Sequence, residues 1–596
     1  MTGEGQDVFE FGPFYLDAAR RRLLRGGRPV RLTAKAFDVL LLLVRNVGEV
    51  VAKETFMRAV WPDSFVEDSN LTVSISMLRK TLGDSYSEHR YIETVSGRGY
   101  RFVARVQRVP GGGSHSVGPP LSVLGTTAED FRSLAVLPLT NVGQDQLLEI
   151  VGDGITESLI NSLSQLHRLR IFARETAFHY READPRAAGH ALGAHTVLAG
   201  EVRRSDGTLV ISVELIEVAG GERIWSAQYA CPLSALPAAQ AEIATSVAGA
   251  LRLKITGEEK LRLLKRYTEN TEAYNLYLKG RYFWNKYAAK WVKKGIGYFE
   301  QAIEIDRSYA LAYAGVADCY FRLSAVHLPP PEALPKASAA AHRAVALDDS
   351  LAEAHASLAM IKFWYDYDWA GAEHEFRRAL ELNPGASLAH QRYGEYLMFT
   401  ERFDEALAEL RLAQSLDPLS LWIGVSLGTN LFLMGRYEQA IEQVMKVLEM
   451  DPHYYPARFC LGMIRLRQGR LAEAVAEFQK ARQAEEDSSF ALGFIGYAHG
   501  IAGQQEEAAQ ALRTLLEQSS TGYVSPYGVA LINLGLSDFE RTFEWLEKLY
   551  ESRDEWTLWL RVAPELKGLR SDARFVSLME RIGFDKCHRS PRETSR

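Results

Sequence analysis

Apolar and polar positions alternate with different periods along the chain. Over residues 8–31 the runs VFEFG, FYLD and RRLLRGGRPVRL have a period of two, and Gly26-Gly27 suits a hairpin turn, which predicts a small antiparallel sheet. Thr33 then caps a helix whose Phe37, Leu40, Leu41 and Val44 share one face. A second helix is expected over Lys53 to Val60 and, after the loop Trp61 to Glu67, a third from Ser69 to Leu82 with Asp68 or Ser69 as cap. In the third helix Leu71, Ile75, Leu78 and Leu82 form a buried stripe, while Asn70, Val73, Ser74 and Met77 face the other way. The run from Tyr91 to Phe102 alternates on both sides of Gly97-Arg98-Gly99 and reads as a two-stranded hairpin. Helix, loop, helix and hairpin together predict a winged helix-turn-helix of α+β class over residues 1–108.

Val109 to Asp130 is rich in Gly, Pro, Ser and Thr, has no apolar period, and reads as a flexible linker over 109–130. Between 131 and 256 short β-like runs (SLAVLPL, RIFA, HTVLAGEVRR, TLVISVELIEV, ERIWSAQYA) alternate with helical patterns near Ile155 to Leu166, Ala187 to Leu192 and Ala239 to Leu253. A small α/β domain is expected there. From Thr271 the β signal stops and a repeat begins: Asn383-Pro384, Asp417-Pro418 and Asp451-Pro452 recur every 34 residues. Tyr393-Gly394, Leu427-Gly428 and Leu461-Gly462 fall on the first helix of each unit. Arg402-Phe403, Arg436-Tyr437 and Arg470-Leu471 open the second, followed by Ala406, Ala440 and Ala474. The small residues admit a neighbouring helix, and the aromatic or leucine fills the gap.

These residues resemble tetratricopeptide repeats. The resemblance implies an all-α superhelix over 271–553, with seven or eight units and an insertion near Pro329-Pro330-Pro331 that stretches the second. Leu566, Leu569, Phe575, Leu578, Met579 and Ile582 predict closing helices over 554–585 that cover the last repeat, and a polar tail fills 586–596. Aromatics are dense at Tyr274, Tyr277, Tyr282, Phe283, Trp284, Tyr287 and Trp291, and again over Phe363 to Trp369. They suit either partner hot spots or core packing, with core packing the favoured reading.

With 596 residues the chain exceeds a single core, and 47% hydrophobic with 24% charged residues is ordinary globular usage. The net charge of -6 conceals an asymmetry: residues 1–108 carry +4 and the remainder -10. Any nucleic-acid contact is therefore expected in the head. The four cysteines, Cys231, Cys319, Cys460 and Cys587, are too far apart for metal or disulfide motifs. The start lacks a signal-peptide pattern, and the longest apolar stretch, Val39 to Val44, is far below the roughly 18 residues of a spanning helix. The expectation is a cytoplasmic protein with no membrane partner.

Several head residues resemble the OmpR/PhoB-type output domain of bacterial transcriptional regulators: Leu32-Thr33 with Phe37, Val60-Trp61, Leu78-Arg79-Lys80, and the ending Glu93-Thr94-Val95 with Gly97-Arg98-Gly99-Tyr100-Arg101-Phe102. The resemblance covers about residues 8–106. It implies that the third helix enters the major groove and the wing reaches the minor groove or phosphates. Ser69, Asn70, Val73, Ser74 and Met77 are then placed near base edges, and Arg79, Lys80, Thr94, Ser96, Arg98 and Arg101 at phosphates or the wing contact. Arg79 also suits an ion pair within the domain. Where better-known members often carry Arg or His, this helix has Ser69, Ser74 and Ser76, so Asn70 alone suits a bidentate adenine contact. A receiver domain and a phosphoacceptor aspartate are not expected, so input is expected from the body. The resemblance also implies that the Trp61 to Glu67 loop contacts RNA polymerase.

Residues 133–253 resemble the TolB-like α/β module through Leu134-Ala135-Val136-Leu137-Pro138, Asp153-Gly154-Ile155-Thr156-Glu157, Leu192-Gly193, Val197 to Arg203 and Ile224-Trp225-Ser226. The likeness implies folding, dimerisation or ligand sensing. Asp153 to Glu157 reads as a helix start with acidic residues suited to the dipole, rather than a phosphate or metal site. No phosphate loop, HExxH or GxSxG occurs, and His190 and His195 read as ordinary domain histidines. No catalytic residue, cofactor or metal site is expected, and an enzyme is not.

The sequence thus predicts a bacterial transcription regulator. Its winged helix binds double-stranded promoter DNA, its repeats bind a protein or peptide, its body senses a protein or small ligand, and two copies bind paired half-sites as a homodimer. The rival is a scaffold whose winged helix has become a protein-docking module.

Overall fold

The computed structural model describes residues 8–109, except 12–13, 18–21, 26–27, 31, 33, 61–70, 72–74, 76–77, 80–81, 83–90, 96–98 and 105, and residues 132–584, except 143–145, 206, 287, 327, 485–488 and 521–522. It divides into two compact units, Met1–Thr126 and Thr127–Arg596.

In the first unit four short strands, β1 (Val8–Phe11), β2 (Phe14–Asp17), β3 (Arg22–Arg25) and β4 (Arg28–Val30), form an antiparallel meander. β8 (Gln107–Val109) pairs antiparallel with β1 and closes that sheet. The helix α1 (Ala34–Arg45) buries Phe37, Leu40, Leu43 and Val44, and Leu41 is partly buried. After β5 (Val50–Ala52), α2 covers Lys53–Val60, the range expected from sequence. Positions 71, 75, 78, 79 and 82 belong to a third helix, α3. Its Leu71, Ile75, Leu78 and Leu82 are all buried, as the apolar stripe requires. β6 (Ile92–Val95) and β7 (Gly99–Phe102) form the expected hairpin, and β7 also pairs with β5.

The second unit begins with a mixed sheet in the order β11 (Leu169–Ile171), β9 (Arg132–Val136), β12 (Thr196–Ser205), β13 (Thr208–Glu217), β14 (Arg223–Cys231). The first three run parallel and the last three antiparallel, with β10 (Thr140–Asn141) beside β12. Alternation along β9 sends Leu134 and Val136 to the face covered by α4 (Gln146–Ser164) and α7 (Leu236–Ala250). Ala135 joins the opposite core with Phe172 and Ala188, the last from α6 (Pro185–Leu192). Two short helices, α5 (Arg174–His179) and α8 (Gly257–Leu263), lie outside the elements expected from sequence.

One expectation is corrected here. Asp153 to Glu157 is not a helix start, because α4 begins at Gln146 and these residues lie in its interior. Guanidinium partners, not the helix dipole, hold the two carboxylates: Asp153 accepts from Arg181 at 2.7 Å, and Glu157 from Arg281. Gly154 is the point of closest packing, where a Cβ would stand 2.7 Å from Leu278 of the first repeat.

Eight helix pairs follow among the described residues: α9 (Thr271–Trp284) with α10 (Ala289–Ile305), α11 (Ala310–Val326) with α12 (Pro330–Leu347), α13 (Ala352–Ile361) with α14 (Trp369–Leu382), and α15 (Ser387–Phe399) with α16 (Phe403–Leu416). The remainder are α17 (Leu421–Leu433) with α18 (Tyr437–Met450), α19 (Tyr455–Arg467) with α20 (Leu471–Ala484), α21 (Ser489–Ile501) with α22 (Gln505–Ser519), and α23 (Pro526–Gly535) with α24 (Phe539–Glu551). The repeat glycines are contact points between paired helices. A Cβ on Gly394, Gly428 or Gly462 would stand 2.7, 2.7 or 2.5 Å from Leu410, Val444 or Phe478. Pro329 caps α12 and Pro330 opens it, and the second unit, from Ala310 to the start of α13 at Ala352, is stretched beyond the 34-residue period. Tyr274, Phe283, Trp284, Phe363 and Trp369 are buried, so the core reading holds for them.

The C-terminal segment, with α25 (Trp559–Val562) and α26 (Ala573–Ile582), packs on α24 and also returns to the middle of the array. The Trp369 indole N–H donates to the Ile582 carbonyl at 3.1 Å, and its ring lies 4.7 Å from Phe584. Trp559 meets Phe399 edge-on, and Arg561 pairs with Glu401 at 3.2 Å.

The loops between repeats share one device. Asp306, Asp348, Asn383 and Asp451 each accept the backbone N–H two residues on, at 2.9 to 3.2 Å. At Asp417 the α/β domain supplies the partner instead. The Thr176 hydroxyl donates to Asp417 Oδ1 at 2.6 Å and accepts from Leu419 N at 3.0 Å, and Thr176 N donates to the same carboxylate at 3.0 Å. Burial, with the nearby Glu175 charge and against the Thr176 hydrogen bonds, pushes the Asp417 carboxyl up to about 7.

Asp417 keeps a proton that the unfolded chain loses near pH 4, so the folded state binds more protons between about pH 4 and 7 and stability falls as pH rises through that window. Asp417→Asn accepts the Thr176 hydrogen bond without ionising. Its melting temperature is expected to vary less with pH and to exceed the parent's at pH 8. Thermal denaturation between pH 5 and 8 checks this, and superimposable profiles would refute it.

Candidate DNA-binding head and ligand chamber

Two features of the head position a wing. Gly99 has φ of 146°, and a Cβ there would stand 2.0 Å from the Val51 carbonyl oxygen, so only glycine allows β7 to lie this close to β5. Arg79, on α3, donates from Nη2 to the Thr94 hydroxyl at 2.7 Å and to the Ile92 carbonyl at 3.1 Å, and from Nε to the same carbonyl at 3.3 Å. The expected alternatives for Arg79 were a phosphate contact and an ion pair; here it is a strut between the third helix and the hairpin.

Thr94 is exposed and is that strut's second anchor. Arg101 pairs with Glu93 across the hairpin, with Nε 2.9 Å from Glu93 Oε2, while more than a third of its side chain is exposed. Ser69, Asn70, Val73, Ser74, Met77, Lys80, Ser96 and Arg98 lie outside the described residues, as does the Trp61 to Glu67 loop.

The second unit contains a chamber of about 810 Å³, within the usual range for small-molecule sites. The first helices of repeats one to five line one side, α4 and α5 another, and Arg553 with Glu555 reach in from beyond the last repeat. Seven carboxyl groups and five guanidinium groups face it.

Three polar clusters organise this wall. Glu157 accepts from Arg281 Nε at 2.7 Å and Asn285 Nδ2 at 3.0 Å, and pairs with Arg174 at 3.2 Å. Burial raises its carboxyl, but the Arg281 and Arg174 charges with the Arg281 and Asn285 hydrogen bonds outweigh that and hold it below its ordinary value. Asp318 accepts both Arg392 Nη atoms at 3.3 Å and the Ser357 hydroxyl at 2.9 Å. Glu395 Oε1 accepts from Gln391, Trp422 Nε1 and Ser426 at 2.7, 2.9 and 2.7 Å, yet burial keeps its carboxyl above the ordinary value. Burial, then Asp554 and Glu395, push Glu555 up to about 8.

Trp422 is 49% exposed despite its hydrogen bond, which leaves aromatic surface for an occupant. Sequence reading did not single out this lining. Only the recurrence of polar residues on helices with buried neighbours, as in Gln391-Arg392 and Glu395, pointed to it. His195 Nδ1 lies 2.7 Å from the Ser133 hydroxyl, as an ordinary domain histidine would. Among the described residues no group of three His, Cys, Asp or Glu side chains suits a metal ion. No helix among them is long and apolar enough to cross a membrane.

Residues 27–102 match the family described as transcriptional regulatory protein, C terminal, and residues 363–420 and 425–489 match the tetratricopeptide repeat. The head is thus an OmpR/PhoB-type winged-helix domain and the helical array carries tetratricopeptide repeats. The chain is similar to Putative adenylate cyclase 3 of Rhizobium meliloti, 31% identical over 39% of this chain and 40% of that protein, so it spans well under half of that relative. It is also similar to Transcriptional regulator HilA of Salmonella typhimurium, 24% identical over 68% of this chain and 70% of that one. Among solved structures, the DNA-binding domain of E. coli CadC matches at 31% identity and TM-score 0.16, over 18% of this chain and 99% of that one.

Arg79→Ala removes the strut without removing a described surface charge contact to DNA. Its cost to the head is expected to be about 1–2 kcal/mol. DNA affinity is expected to drop with the slope of log affinity against log salt unchanged, because that slope counts neutralised phosphates. A slope shallower by about 0.9 would make Arg79 a phosphate ligand instead.

Proposed function

We propose that this protein is a promoter-binding transcription regulator whose body responds to a small ligand held in the chamber. The observation that carries the DNA-binding half is the match of residues 27–102 to the regulatory C-terminal family. The buried α3 stripe, the tight β5–β7 approach at Gly99 and the Arg79 strut support it, because they fix the third helix and the hairpin against each other as a winged helix requires. That a similar protein bears the name Transcriptional regulator HilA supports the same reading.

In this reading Ser69, Asn70, Val73, Ser74 and Met77 meet base edges, and Lys80, Ser96, Arg98 and Arg101 meet phosphates or the minor groove. Arg79 and Thr94 set the wing against the helix. The Trp61 to Glu67 loop touches RNA polymerase, and two copies occupy paired half-sites. The α/β domain, with its TolB-like sequence, serves as the chamber's second wall. No catalytic step is part of the role.

A partly enclosed chamber favours a small ligand over an extended peptide on the repeats. α4 and α5 stand against the first helices, where a peptide would otherwise run, and seat the Glu157 to Arg281 pair across the gap.

Binding of the full chain to genomic fragments, its own promoter region included, at two salt concentrations tests the reading. Selective, salt-steep binding is expected, and Arg98→Ala/Arg101→Ala is expected to weaken it at least tenfold. Trp422→Ala, which removes the exposed ring from the chamber wall, should leave basal binding intact while abolishing any shift in operator affinity produced by a small-molecule cell extract. Binding without fragment preference, equal in parent and variant, would favour the protein-docking scaffold.

A further inference from the structure

The body is acidic overall, but residues 279–294 carry five lysines and one arginine with no acidic residue. Arg281 is turned inward to Glu157, and the lysines remain at the surface of the first repeat: Lys286, Lys290, Lys293 and Lys294 are exposed and Lys279 is half-buried. None of the five has an ion-pair partner among the described residues.

Aromatic rings hold this charge in place. Phe283 stacks with Trp291 and with Tyr298, each centroid 5.5 Å away at interplanar angles of 21° and 8°. Lys294 Nζ lies 4.3 Å from the Phe283 centroid, Lys286 Nζ 4.4 Å from Tyr282, and Lys290 Nζ 5.0 Å from Trp291. The rings fix the ammonium groups without neutralising them, so a counter-anion is the remaining unmet need.

We propose that this lysine surface is a second DNA-binding site, which holds the phosphate backbone of duplex DNA. It rests on the reading that the head binds promoter DNA, since the covalent link then presents the same duplex at high effective concentration. The chemistry selects phosphate over base. Lysines are point charges on flexible stems without the fixed fork that holds a base edge in one geometry, and Asn285, the amide nearest in sequence, is engaged by Glu157. Base stacking of a single strand is disfavoured because Phe283 is buried and already stacked with Trp291 and Tyr298, and lysines approach Trp291. The site adds affinity and salt dependence but no sequence preference.

The test uses the full chain and a selected genomic site, presented in a short duplex of about 20 bp and a long one of about 60 bp, titrated across salt. The quadruple variant Lys286→Gln/Lys290→Gln/Lys293→Gln/Lys294→Gln is compared with a control that changes Lys260, Lys446, Lys480 and Lys567 to Gln. On the long duplex the patch variant is expected to lose about tenfold in affinity and about 2–4 in salt slope, at about 0.9 per phosphate, while the control matches the parent. Equal slopes for parent and patch variant on the long duplex would overturn the proposal. Carrying Arg98→Ala/Arg101→Ala in the same chain separates the two readings: salt-steep, non-selective binding that survives the head variant and is lost on adding the patch changes supports the patch even if the head's role fails.

Discussion

The body depends on the contact by which Thr176 of the α/β domain enters the fourth inter-repeat loop. Elsewhere the Asx turn closes on the backbone N–H two residues on. At Asp417 the loop is completed by another domain, and the donor, the acceptor and the Leu419 N–H share one buried hydroxyl. Removing the Thr176 hydroxyl would leave the Asp417 carboxyl and the Leu419 amide each short of a partner, at about 1–3 kcal/mol each. The neighbouring contacts run the same way: Ala173 N donates to the Leu416 carbonyl at 2.8 Å, and Gly385 N to the Ser164 carbonyl at 3.1 Å. Backbone paired with backbone across a domain boundary makes the α/β domain and the array one unit, in keeping with their joint division from the head.

That seam determines what the array can do. A stack of helix pairs presents its first helices on the concave side, which by itself is an open groove. Here α4 and α5 stand against that side, and the C-terminal segment ties the eighth repeat back to the third and fourth through Trp369, Phe399 and Glu401. The groove becomes a chamber. Its charges are shared across the seam: Glu157 belongs to the α/β domain, whereas Arg281 and Asn285 belong to the first repeat and its loop. Removing one partner of such a buried pair costs about 3–5 kcal/mol because the other charge stays behind.

Local patterns were legible in the sequence and cross-domain ones were not. The stripe of Leu71, Ile75, Leu78 and Leu82, the hairpin around Gly99 and the 34-residue spacing of Asn383, Asp417 and Asp451 are properties of a segment, and the structure carries each in place. Asp153 and Glu157 were misread because acidic residues near a glycine suit a helix start. Their partners, Arg181 and Arg281, lie 28 and 124 positions away, beyond any local pattern. Thr176 shows the same limit: nothing near it signals that its hydroxyl replaces an Asx-turn bond 241 positions on. Trp422 reads as one more aromatic on an apolar helix until Glu395 is seen to hold its indole.

The same charges bear on how an occupant of the chamber could act. A ligand shifts an equilibrium only by its difference in affinity between two states, so a response requires groups whose surroundings differ between them. Most of the wall is repeat helix, packed through Gly394, Gly428 and similar close contacts that leave little room to move. The exception is the seam, where Glu157 and Arg281 face the chamber and join two domains, with Arg174 beside Glu157 on the α/β side. An occupant that competes for Arg281 weakens the pair that seats α4 on the first repeat. In the proposed role, ligand recognition and domain docking would draw on the same Arg281 guanidinium, so the chamber's chemistry and the body's cohesion would not vary independently.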